Sequence, residues 1–137
     1  MRHHAIWGIL GVLLVILAGC ASDGTKLRKS AYGSFGAYVV AEETAATVVQ
    51  DKTVPAKTVL AIQNATRIAA PVAEAMYHDL VRFAQLQDEI KAITDAGGTA
   101  SEQRLTALAA AMAALQQTYA QSGDAIAALV ALVKKGH

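Results

Sequence analysis

Leu105, Leu108, Met112, Leu115, Tyr119, Ser122, Ile126, Leu129 and Val133 follow one another at spacings of three or four. That period lays a single stripe along one face of an α-helix and fits no strand, whose side chains alternate with a period of two. The stripe predicts a final helix of about 34 residues, roughly 50 Å long at ~1.5 Å per residue. Thr99, with Glu102 three places on, matches a capping box at its start, in which both side chains satisfy free amides of the first turn. The stripe is weakest at Ser122-Gly123, where a bend or a close helix crossing would fit.

A helix of that length cannot bury its face alone, and the preceding sequence supplies partners. The chain is rich in alanine, has only 2 prolines among its 137 residues, and shows no convincing alternating β-branched run. Breaks fall at Asp51-Lys52-Thr53-Val54-Pro55 and at Asp95-Ala96-Gly97-Gly98-Thr99. A second helix is expected over residues 56–93, with Val72, Met76, Leu80, Phe83, Leu86, Ile90 and Ile93 on its core face. Pro71 interrupts it by removing an amide and crowding the carbonyl of Arg67, and a kink is favoured over two helices. Pro55 sits near a first turn, where its missing amide costs nothing. A first helix over residues 31–50 would bury Tyr32, Phe35, Val39, Ala46 and Val49. Gly33 and Gly36 there mark either a late start or a close backbone approach. The expected fold is all-α: a three-helix antiparallel, up-down-up bundle over residues 31–137, its middle helix kinked at Pro71.

The N-terminus carries a different signal. Arg2, His3 and His4 precede an apolar run over residues 5–18, and Leu17-Ala18-Gly19-Cys20 ends it with small residues before the chain's one cysteine. These four residues resemble a bacterial lipobox. The resemblance covers about the first 21 residues. It implies cleavage before Cys20, a diacylglycerol on the Cys20 thiol and an acylated new amino terminus. Residues 1–19 would then be a signal peptide, and residues 20–30 the lipidated cysteine and a short tether of at most ~3.3–3.6 Å per extended residue. In the family, an aspartate directly after the cysteine tends to retain the protein in the inner membrane. Here Ala21 holds that place, with Asp23 two further on, so the resemblance points to the periplasmic face of an outer membrane. The alternative is an uncleaved anchor. Fourteen apolar residues fall short of the roughly 20 that span the hydrocarbon core, and a single cysteine has no disulfide partner within the chain.

Without residues 1–19 the chain loses Arg2 and holds eleven Lys+Arg against eleven Asp+Glu. Balanced charge argues against nucleic acid, which would ask for a basic excess or stripe. Lys26, Arg28 and Lys29 could meet anionic headgroups at about 1 kcal/mol each near a membrane surface, or be ordinary solvated charges. The densest ionisable cluster is Glu74, His78, Asp79, Arg82, Asp88 and Glu89. Glu74, His78, Arg82 and Gln85 share a face away from Met76, Leu80 and Phe83, as a solvated charge stripe does. Carboxylate-bridged metal sites in helical bundles use Glu-x-x-His on two helices; Glu74-x-x-x-His78 has the wrong spacing and no second copy. No haem attachment, P-loop, nucleophile elbow or zinc motif occurs. Glu42 and Tyr119 fall on or near core stripes as candidate buried polar groups. Lys134 and Lys135 invite comparison with the small helical lipoprotein that bacteria join to peptidoglycan through a terminal lysine, but Gly136 and His137 follow them here.

The expectation is a non-enzymatic, lipid-anchored envelope protein without a cofactor, acting as a structural, spacer or protein-interaction module. Its partners would be the membrane, through acylated Cys20, and an envelope protein or a second copy of itself. Two alternatives stand beside it: a periplasmic lipoprotein binding a small apolar ligand between helices around Pro71, and a phage-exclusion lipoprotein blocking an envelope receptor.

Overall fold

The computed structural model describes the backbone over residues 2–136 and side chains over residues 23–136. Cys20 and the expected signal peptide lie outside the residues whose side chains are described. The fold is an all-α three-helix bundle: α1 (Arg2–Gln50), α2 (Ala56–Asp95) and α3 (Glu102–Gly136). Among the described residues there is no strand, and no helix is long and apolar enough to cross a membrane.

Both connections follow from local chemistry. After α1, the Asp51 carboxylate accepts hydrogen bonds from the Thr53 amide at 2.8 Å and the Thr53 hydroxyl at 2.7 Å. This side-chain-to-backbone turn replaces the helix's own bonding. Pro55 then serves as the N-cap of α2, its carbonyl accepting from Thr58 and Val59. At the far end Gly97 takes φ 81°, the Gly98 amide reaches the Ile93 carbonyl at 2.9 Å, and the Gly97 amide reaches the Thr94 carbonyl at 3.0 Å. Those two bonds are a Schellman motif, which requires a residue tolerant of left-handed backbone.

α3 begins two residues later than the capping box predicted. Ser101 caps it, its Oγ accepting from the Arg104 amide at 3.2 Å, while Glu102 occupies the first helical position. Thr99 is therefore not the cap. Ser101 stands immediately before the helix, and Glu102 there places a carboxylate at the positive end of the macrodipole.

The α3 stripe is buried much as its spacing predicts. Leu115, Ser122, Ile126, Leu129 and Val133 are buried, Leu108, Met112 and Tyr119 pack at the core's edge, and Ala111 joins them. α3 runs unbroken through Ser122-Gly123. A Cβ at Gly123 would meet nothing within 4 Å, so this glycine faces open space and is not a point of close helix approach. α2 contributes Ile62, Ala69, Ala73, Met76, Leu80, Phe83 and Ala84, and it continues through Pro71 as one helix. Val72, Leu86, Ile90 and Ile93, expected in the core, are half-buried. The one fully buried polar side chain among the described residues, Ser122, donates to the Tyr119 carbonyl at 3.1 Å and lies 3.2 Å from the Met76 Sδ. Its hydroxyl thus enters the core satisfied.

α1 is the element the sequence misplaces. Its buried residues are Ala31, Tyr38, Ala41, Ala45 and Val48, a stripe turned by about one residue from the expected one. Tyr32 and Ala46 are exposed, while Phe35, Val39 and Val49 sit at the core's margin. Three alanines in the contact let the helix approach closely, and Tyr38 supplies the bulk. The helix also begins well before residue 31. Residues 23–30, expected as an extended tether, are helical and dock on α2. A Cβ at Gly24 would come within 3.0 Å of both the Phe83 ring and the Gln87 side chain, and the Arg28 guanidinium donates to Asp88 at 2.9 and 3.5 Å. A start near Gly33 is thereby corrected; Gly33 and Gly36 both face open space.

Candidate functional site

Two regions of the described surface carry more than ordinary solvated side chains. The first is aromatic and lies where α1 meets α2. Phe35 stacks on Tyr77 with ring centroids 4.4 Å apart and planes 20° apart, and it lies 5.9 Å from Tyr38. Such pairs add to area burial. Tyr38 is 3% exposed. Burial pushes its phenol up to about 12, helped by the hydrogen bond it donates to Glu42 and by the negative charges of Glu42 and Glu74. Glu42 is itself exposed, so it reaches in from the rim rather than being a buried acid. Tyr119, the other candidate, is half-buried.

Two turns before Phe35 on α1, Arg28 pairs with Asp88 of α2. The guanidinium beside Asp88 holds that carboxyl below its ordinary value, and Arg28 is shifted up chiefly by the same hydrogen bond. Because Asp88 is exposed, the pair orients α1 on α2 more than it stabilises the bundle.

The ionisable cluster singled out on α2 stays dispersed. His78 is 81% exposed in its side chain and its nearest carboxylate is the neighbouring Asp79, at 3.8 Å. Glu74, Arg82, Asp88 and Glu89 are exposed as well. Among the described residues no group of three or more His, Cys, Asp and Glu side chains is placed to hold a metal ion. The structure thus brings none of these residues into a shared pocket where one could move a proton for another.

The second region is an open, apolar groove between α1 and α3, with a volume of about 430 Å³. Gly36, Ala37, Val40 and Ala41 form one wall, Val130 and Val133 the other, and Lys134 stands at the rim. The two walls belong to helices that run alongside each other in this part: a Cβ at Gly136 would come within 3.1 Å of Val48. Val40 is 63% exposed there. Pro71, the expected neighbour of a ligand pocket, is exposed on another helix, flanked by the fully buried Ala69 and Ala73. Sequence reasoning missed the groove. The spacing Gly33, Gly36, Val40 was present, but small residues carry no marker of which face of a helix they occupy. No family model, curated protein or solved structure matches this chain.

Proposed function

We propose that this chain is a non-enzymatic, lipid-anchored envelope protein whose helical bundle is an interaction module at a membrane surface. The observation that carries the reading is Leu17-Ala18-Gly19-Cys20 at the end of the apolar run over residues 5–18. Acylated Cys20 is the anchor, since stable attachment takes more than one chain at ~0.8 kcal/mol per buried methylene. Ala21 in place of an aspartate favours the periplasmic face of an outer membrane.

Residues past the anchor suit this role. Arg28 is committed to Asp88, while Lys26 remains exposed on the part of α1 nearest Cys20, available to anionic headgroups. The helices run up-down-up. In support of that order, Arg28 meets Asp88, Phe35 meets Tyr77, Ser122 meets Met76 and Gly136 comes beside Ile62, so partner numbers fall as the chain number rises. The non-enzymatic reading rests on the exposed, dispersed state of the Glu74–His78 cluster.

The test is intact mass and membrane partitioning of the protein from cells, for the native chain and Cys20→Ser. A species beginning at Cys20 with added acyl mass, lost together with membrane association in the variant, supports the anchor. An unmodified full-length chain in both cases overturns it.

A further inference from the structure

The α1–α3 groove is open along its length, spanning Gly36 to Thr44 on α1, about 12 Å at ~1.5 Å per residue. It is continuous with a stripe that faces away from the core: Lys29, Gly33, Gly36, Val40, Glu43 and Thr47, all exposed and spaced alternately by four and three. That alternation has the heptad period of paired helices, which keeps one face of α1 turned to a neighbour along its length, with Val40 as its one large apolar side chain. The stripe's charges say which neighbour. Lys29 and Glu43 stand seven positions either side of Gly36, and neither forms an ion pair among the described residues.

We propose that α1 docks against α1 of a second copy of this chain, antiparallel, about a two-fold axis at Gly36. In that arrangement Lys29 of each copy faces Glu43 of the other, twice. Val40, left exposed on the monomer and four positions past the axis, comes opposite the exposed Tyr32 of its partner, beside the open space over Gly33. A parallel pairing would set lysine against lysine and glutamate against glutamate. The charges of the α1 stripe are therefore self-complementary in one direction only, as an isologous two-fold interface requires. Apolar contact in the groove supplies the attraction, and the exposed charges select orientation more than affinity. Asp23 of the two copies would lie roughly 40 Å apart, at ~1.5 Å per residue from the axis. A pair anchored as proposed above would accordingly lie along the bilayer rather than stand on it.

Disulfide trapping in membranes of cells expressing the full chain tests the geometry, with the native chain as the baseline for Cys20. Gly36→Cys places two thiols across the axis, within the ~7 Å Cα separation a disulfide can bridge, and is expected to give a covalent dimer above that baseline. Lys29→Cys alone is expected to give none, and Lys29→Cys combined with Glu43→Cys to give one. Reversing the charge with Lys29→Glu is expected to lower the yield of the Gly36→Cys dimer, and adding Glu43→Lys to restore it. All these positions are exposed, and far-ultraviolet circular dichroism checks that each variant keeps its helices. Cross-linking through Lys29→Cys alone, absence of the Gly36→Cys dimer, or failure of the double charge reversal to restore it would overturn the proposal. A chain that stays monomeric and carries lipid through purification would give the groove to an acyl chain and overturn it as well.

Discussion

Tyr38 shows how a single residue ties the core to pH. Its phenol is pushed up to about 12, against an ordinary value of 10.0, so the folded chain holds that proton more tightly than the unfolded chain. The associated stability is fully present below pH 10 and is lost as pH rises towards 12. Thermal melting followed across that window is expected to fall more steeply for the native chain than for Tyr38→Phe, which has no phenolic proton to lose. Gly97 makes the corresponding point for backbone. At φ 81° a side chain costs about 1–2 kcal/mol in the left-handed region. Gly97→Ala is expected to destabilise the fold by about that much in chemical denaturation, although a Cβ there meets nothing within 4 Å.

The three helices differ in how much of each can be read from residue order. α3 carries large side chains at its contact positions, so its periodicity names its buried face. α1 uses Ala31, Ala41 and Ala45, and alanine is equally at home on either face. The aromatic residues nearby drew the expected stripe towards Tyr32, whereas packing against α2 and α3 selected the face one residue over. The same physics hid the helical character of residues 23–30: nothing in their composition distinguishes a tether from a helix, and only docking of Gly24 and Arg28 against α2 decides it. α2 keeps a proline inside an unbroken helix. Proline is about 3 kcal/mol less favourable than alanine in a helix interior, and Pro71 is exposed with no packing to offset that. Pro71→Ala is therefore expected to stabilise the protein, by up to about 3 kcal/mol, read as an upward shift in melting temperature.

At the scale of the whole molecule, stability rests on a narrow core in which Phe83, Ile62, Met76, Leu80, Leu115 and Leu129 are the largest fully buried apolar side chains. Phe83 also packs beneath Gly24. Phe83→Ala is expected to cost about 3–5 kcal/mol and to loosen the start of α1 from α2, seen as faster hydrogen exchange around residues 24–31. Three long helices, their two breaks and the buried stripe of α3 were legible from the residues alone, because helix propensity, Gly and Pro punctuation and a run of large apolar side chains are local properties. The phase of α1, its extension through residues 23–30, the cap at Ser101, the Arg28–Asp88 pair and the α1–α3 groove were decided only by the tertiary structure. Each depends on which surfaces meet across the bundle, and small or charged residues leave that choice open until a neighbouring helix is in place.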